Sequence, residues 1–338
     1  MTSAIPTEDI NDIVIDIIAQ SVGSVSESQL ALTGDKRFLF SESKRSFIMY
    51  GVKGRNWIAL GAPIGQKSES EELIAQFLSL ARASKYSPAF YAVRERHLER
   101  FSQTKLKSQK IGEMALVALE SFSLEGKDNA KHRHARNKAV REGVSFKIIR
   151  TEVDSPEMDK LESISKDWLA HQSGREKGFS LGRFDRKVLS NKAIAIAMKA
   201  DEIIAFSNLW SSADGSELSL DLMRYLENSM AGVIDFLLVE TMLWGRENGY
   251  KTFSLGMAPL AGLDKEDHRS VMSSLCRFAF KHGDKLYSFQ GIRRFKKKYN
   301  PDWEAVYLMA PSQLHMPRAL KNLALLSAGS LKGIFRRP

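Results

Sequence analysis

The sequence contains one cysteine, Cys276, so no intrachain disulfide can form. It lies in the apolar run from Leu275 to Phe280, which reads as a buried structural thiol rather than a nucleophile. A reducing compartment fits this usage. Long apolar runs are also missing: none approaches the roughly 18–20 residues that span a bilayer. The opening stretch MTSAIPTEDINDIVIDI is acidic where a secretory signal is basic. The chain as it stands reads as soluble, as the trimmed part of a membrane-bound parent would. Metal-ligand spacing is absent as well. His132 and His134 at i and i+2 point to different sides of a helix, with no Cys or acidic constellation nearby, so no metal is expected. No GxxxxGK loop follows Gly61-Ala62-Pro63-Ile64-Gly65, and no clear Q/RxxGxG/A turn cradles a phosphate, so no cofactor is expected either.

What is present is an ordinary globular composition, 43% hydrophobic and 27% charged, which excludes disorder. A length of 338 residues suffices for two domains with separate cores. The formal charge of +10 is uneven: Arg277 to Pro338 carries thirteen Lys or Arg against three Asp or Glu, and Lys127 to Arg150 eight against two. Two such patches point to an anionic partner, nucleic acid or acidic lipid; a basic surface without function is the alternative.

The central stretch, residues 217 to 262, reads as strand, helix, strand. Leu218, Leu220 and Leu222 fall in phase on one face, with Asp221 and Met223 on the other. A break at Asn228 to Gly232 precedes helical spacing from Ile234 to Gly245, and Lys251 to Met257 is the second strand. Such a unit needs neighbours on both faces, so a mixed sheet with flanking helices follows. Asp221 and Arg224 then lie near the end of a core strand, as a catalytic pair or as a salt-bridged strand end.

Upstream, a helix over Asp9 to Ser21 leads into strands at Phe38 to Phe40, Ser46 to Val52 and Trp57 to Leu60. A helix over Ser68 to Ser84, strands at Pro88 to Val93 and Gly112 to Leu119, and a basic helix over Leu124 to Gly143 complete the first part. That basic helix offers Arg133 and Arg136 as anion contacts. A polar transition at Thr151 to Glu157 starts a helix over 156 to 171. The Gly-rich, basic loop HQSGREKGFSLGRFD, with Arg183, reads as a lid or recognition loop, or as a plain connection. Beyond a helix from Ser270 to His282, aromatic residues interleave with Arg293, Arg294, Lys296, Lys297 and Lys298, a pattern that suits a phosphate-bearing group or a seam edged by charge.

RHARNKA, GFSLGRFD, SLDLMRY, FSLGMAPLAG and YSFQGIRRFKKKYNPDWEAVYL together resemble the soluble catalytic region of the aminoacyl-phosphatidylglycerol synthases, the multiple-peptide-resistance lipid lysyltransferases. The resemblance covers most of the chain, most strongly Lys131 to Leu308. It implies an α+β fold of tandem acetyltransferase-like domains, each a mixed, mostly antiparallel sheet flanked by helices. The expected division is residues 1–150, 151–310, and a basic amphipathic segment 311–338, for membrane contact or as a terminal helix packed on the core. It implies transfer of an aminoacyl group, lysyl preferred, from aminoacyl-tRNA to phosphatidylglycerol at the cytoplasmic face of the cell membrane, with an amino-terminal membrane domain not contained in this chain. The family's D-x-x-R pair falls on Asp221 and Arg224, and its basic pair after the aromatic strand on Lys296 and Lys298, where many relatives have Arg at the second position. Arg133, Arg136, Arg183, Tyr225, Arg293 and Arg294 are the expected substrate contacts. The family's further acidic residue has no secure match; Glu266 is the nearest acid. An acyl-CoA-dependent N-acyltransferase and a non-enzymatic tRNA or anionic-membrane binding module are the alternatives.

Overall fold

Apolar residues recur at helical spacing in some segments and at every second position in others, and the chain folds accordingly into alternating helices and strands. The computed structural model describes residues 7–21, 23, 25–172, 176–263 and 284–328. Its first half contains α1 (Thr7–Gln20), β1 (Arg37–Phe40), β2 (Ser46–Lys53), β3 (Asn56–Leu60), β4 (Ile64–Gly65), α2 (Ser70–Ala83), β5 (Ser87–Arg94), β6 (Lys107–Ala118), α3 (Ala130–Arg141) and β7 (Val144–Ile149). The second half contains α4 (Pro156–His171), α5 (Arg186–Leu189), β8 (Ile194–Lys199), β9 (Glu202–Ser211), β10 (Glu217–Tyr225), α6 (Val233–Glu247) and β11 (Thr252–Pro259). It closes with α7 (Asp284–Lys297), β12 (Asp302–Ala310) and α8 (Met316–Ser327).

The strands form one mixed sheet of twelve, ordered β1-β2-β3-β5-β12-β6-β11-β10-β9-β8-β7, with β4 on β2. The mixed α+β class is as expected, and the sheet runs unbroken across residue 150. Strand β12, from the far end of the chain, lies between β5 and β6. Two parallel pairs flank this centre: β3 with β5 around α2, and β10 with β11 around α6. Helices α3 and α6 cover one face of the second half, where Phe236, Leu237, Met242 and Phe253 are buried. On the other face Met158, Leu161 and Ile164 of α4 meet Ile194, Ile196 and Phe206. Helix α4 starts where the sequence signals it, with Ser155 accepting from the Met158 amide at 3.2 Å and Pro156 at the first position.

Three expectations are corrected. The basic helix begins at Ala130 rather than Leu124, because Gly126, at φ 80°, turns the preceding chain out of helical geometry. The aromatic stretch before Lys296 is the helix α7, not a strand. The terminal amphipathic helix packs into the protein: Met316, Ala319, Leu320 and Leu323 join the core over β2 and β3, so this apolar face is unavailable to a bilayer. An apolar stripe at helical spacing has the same pattern whether a core or a membrane covers it. The expected helix at 270–282, Cys276, Glu266 and residues 329–338 lie outside the described residues.

The sheet is curled so strongly that β5 and β10, four places apart in its order, meet through an ion pair. Arg94 Nη1 lies 2.8 Å from Glu217 Oε2, with the two side chains 2% and 5% exposed. Glu304 Oε2 lies 3.1 Å from Arg94 Nε, and Glu27 Oε2 3.6 Å from Nη1. Burial opposes the guanidinium charge, and the three carboxylates more than offset it. Removing the cation leaves buried carboxylates uncompensated. Arg94→Leu is therefore expected to lower the unfolding free energy in urea by about 3–5 kcal/mol; an unchanged midpoint would contradict this.

Candidate active site at the splayed strands

Strands β10 and β11 pair only from Glu217–Ser219 to Thr252–Ser254 and then separate. Each leaves the pairing at an irregularity, β10 between Leu220 and Met223 and β11 between Ser254 and Met257. Asn208 on β9 fills the gap in β10, its Oδ1 accepting from the Leu222 amide at 2.8 Å. An extra residue reverses which face the following side chains take. Leu218 and Leu220 therefore pack on the α6 side and Leu222 on the α4 side, so the expected in-phase row breaks at this point.

The same irregularity turns Asp221 toward the loop that follows α4. Gly182 donates its amide to Asp221 Oδ1 at 2.8 Å, and a Cβ at this glycine would lie 1.7 Å from Oδ2. Burial raises the Asp221 pKa to about 6, against the lowering effects of the Gly182 amide, Asn208, Arg224 and Lys36. Lys36, whose side chain has no exposed surface, lies 2.5 Å from Asp35 Oδ1 and donates to Thr33 Oγ1 at 2.8 Å. Burial lowers the Lys36 pKa, and Asp35 and Asp221 oppose that shift. Asp35 in turn accepts from the Phe179 amide at 2.6 Å. The loop is thus held by acids from two distant parts of the chain.

Arg224 is buried, 2.8 Å from Glu176 Oε2 and 3.9 Å above the Trp168 ring. Glu176 also accepts from the Phe184 amide at 3.3 Å, and the Gly178 amide donates to Ser327 O at 2.9 Å. Arg183 donates to Thr33 O at 3.3 Å. The loop expected to recognise substrate is therefore a strap between Asp35, Asp221, Arg224 and α8.

Lys296 stands at the β11 side of the opening. Its ammonium donates to Met257 O at 2.7 Å, beside Gly256, and burial lowers its pKa to about 7. Lys298 lies on the α6 side instead, 2.5 Å from Asp235 Oδ1 and over the Phe295 ring at 4.4 Å. Tyr299 also donates to Asp235 and stacks on His132 at 4.8 Å. Arg136 pairs with Glu240 at 2.5 Å, Arg133 donates to the carbonyls of Leu124 and Gly126, and Tyr225 packs against the α6-side core. Arg293 lies 3.3 Å from Glu113 and 5.1 Å over Trp303, while Arg294 is exposed.

The structure thus groups Asp221, Arg224 and Arg183, sets Lys296 across the strand opening, and puts Lys298, Arg133 and Arg136 in contacts elsewhere. Asp35, Lys36, Trp168, Glu176 and Asn208 are the neighbours that sequence reading missed. Glu176 and Glu113 are each paired with an Arg from the expected set, as Glu240 is with Arg136 and Asp235 with Lys298. Among the described residues, no group of three His, Cys, Asp or Glu side chains is placed to hold a metal ion, and no helix is long and apolar enough to cross a membrane.

Residues 15–310 match the family model described as phosphatidylglycerol lysyltransferase, C-terminal. A phosphatidylglycerol lysyltransferase of Bacillus subtilis is 34% identical over 85% of the chain, and one of Staphylococcus aureus 33% identical over 83%. The chain spans about a third of the length of these relatives, 33% and 34%. The C-terminal domain of a lysylphosphatidylglycerol synthetase from Agrobacterium fabrum, described as putative in its published structure, superposes with a TM-score of 0.84 at 35% identity, covering 96% of this chain and 99% of that one. The L-PGS structure from Bacillus licheniformis superposes with a TM-score of 0.83 at 29% identity, covering 94% and 96%. This sequence match, carried by the same fold in both solved structures, places the chain in the phosphatidylglycerol lysyltransferase C-terminal family.

Proposed function

We propose that this chain transfers an aminoacyl group, lysyl by preference, from aminoacyl-tRNA to a headgroup hydroxyl of phosphatidylglycerol at the cytoplasmic face of the cell membrane. A membrane-embedded portion of the whole protein is the partner that this reading supplies. The observation that carries it is the half-buried Asp221, desolvated at the mouth of the splayed β10–β11 pair, in a chain that matches the family from residue 15 to 310. The symmetric placing of the two parallel strand pairs about β12 and β6 supports two acetyltransferase-like units, 1–150 and 151–310, joined by exchanged strands, with 311–338 following.

In this reading the glycerol hydroxyl oxygen attacks the aminoacyl ester carbonyl. The bond from that carbon to the ribose oxygen breaks, and the ribose oxygen takes up the proton that Asp221 received from the attacking hydroxyl. Asp221 accepts the proton of the attacking hydroxyl; with its pKa raised to about 6, it is a stronger base than an exposed aspartate and still ionised at neutral pH. Lys296, when protonated, faces the negative charge that develops on the carbonyl oxygen. Arg224, enclosed by Glu176 and Trp168, is a positioning residue that holds the strap around Asp221, and the exposed Arg294 with Arg293 on α7 contacts tRNA phosphate. Arg183 orients substrate from the strap itself.

The test is to supply labelled lysyl-tRNA or alanyl-tRNA to the chain with phosphatidylglycerol vesicles and to extract the lipid. Labelled lipid from the lysyl donor is expected. Label moved instead from an acyl-CoA to an amine, or tRNA binding without lipid product, would overturn the reading.

A further inference from the structure

Arg55, Arg82 and Lys85 of the first half and Arg318 of α8 have no hydrogen-bonding or ion-pair partner for their side chains among the described residues. They line one open cleft, together with Tyr86 and His315, and no acidic side chain lines it. Arg94, Arg136, Arg186, Arg224 and Arg293, by contrast, are each paired with a carboxylate. Like charges gathered without acids repel one another, an arrangement that an arriving anion relieves.

Beside this cleft stands Leu314. It is 90% exposed, whereas the other exposed large hydrophobic side chains lie between 40% and 54%. Its short turn, Gln313–His315, is fixed on one side by the bond between Ser312 Oγ and His315 Nδ1 at 2.8 Å. On the other side Met316, Ala319 and Leu320 seat α8 in the core. An aliphatic tip on a firm base, next in the chain to His315 of the cationic cleft, matches the boundary between lipid headgroups and acyl chains. An RNA backbone would satisfy the cations and leave Leu314 in water.

We propose that Leu314, with Arg55, Arg82, Lys85 and Arg318, is the surface by which this chain docks on an anionic lipid bilayer. The proposal deepens the lipid-acceptor reading by naming the contact face. Vesicle binding without tRNA can fail while lysyl transfer stands, so the two are separable. The face lies at the start of α8 and not along the helix's apolar stripe, which the core occupies.

The experiment is cosedimentation of the full chain, without tRNA, with phosphatidylcholine vesicles that contain phosphatidylglycerol, and in a parallel arm phosphatidylserine. Arg82→Gln combined with Arg318→Gln is expected to weaken binding about 30-fold at low salt, from about fivefold per cation. Leu314→Ser is expected to weaken it about tenfold in both arms. These side chains are exposed, so the variants are expected to melt with the parent. Undiminished vesicle binding by either variant overturns the proposal. So does loss of tRNA binding in the Arg variant with vesicle binding intact, which would assign the cleft to RNA.

Discussion

Asp221→Asn is expected to lower aminoacyl transfer about a thousandfold while the protein stays folded, the scale lost with an essential proton acceptor. Asparagine keeps an oxygen to accept the Gly182 amide, so the strap is retained and the ionisable oxygen alone is removed. Stability separates this outcome from damage to the fold. The folded-state pKa of Asp221 is raised, so its contribution to stability is fully present below the ordinary carboxylate pKa and is lost as pH rises through about 6. At pH above that value the wild-type protein carries the cost of a desolvated carboxylate, on the order of 3 kcal/mol. The asparagine variant lacks it and is expected to unfold at equal or higher denaturant at neutral pH. A variant that is both inactive and much less stable would point to a structural role.

Gly182→Ala should cost about a hundredfold in turnover, through position rather than chemistry. The added carbon would fall 1.7 Å from Asp221 Oδ2 and 2.6 Å from Cγ, so the carboxylate or the strap must move by an ångström or more. A misplacement of that size in a reacting group carries a loss of this order. The Michaelis constant for charged tRNA is expected to change little, because Gly182 is not among the proposed tRNA contacts. Turnover equal to wild type would show that Asp221 need not sit where the glycine places it.

The strand-helix-strand unit around Asp221 was legible because its signals are local. Alternation in β10, the Gly232 break and the helical spacing through Gly245 each act within a few residues. The family motifs carried Asp221 and Arg224 to the right strand, and the Gly-rich segment after α4 to the place where Gly182 meets Asp221. What was not legible depends on distant chain. The bulge that reverses Leu222 is filled by Asn208 from the neighbouring strand, and alternation within β10 alone gives no sign of it. Asp35 and Lys36 sit in an ordinary-looking Gly-Asp-Lys turn and acquire their place only when α1, the following turn and the strap are packed together.

Lys296 and Lys298 show the same limit at shorter range. They are two residues apart in a run of three lysines, yet one lies at the strand opening and the other beside Asp235 on α6. The helix α7 ends between them, and that ending separates their directions. Order in the sheet was equally hidden: β12, from the far end of the chain, enters between β5 and β6, and the Arg94 cluster draws on four separated segments.

The most direct measurement is transfer of label from lysyl-tRNA to phosphatidylglycerol by the wild-type chain and Asp221→Asn side by side, as pH is varied across neutrality. The wild type is expected to form lysyl lipid with an acid limb near pH 6, where Asp221 ionises, and the variant to lose the product at every pH. No lipid product from the wild type, or undiminished product from the variant, would contradict aminoacyl transfer at Asp221.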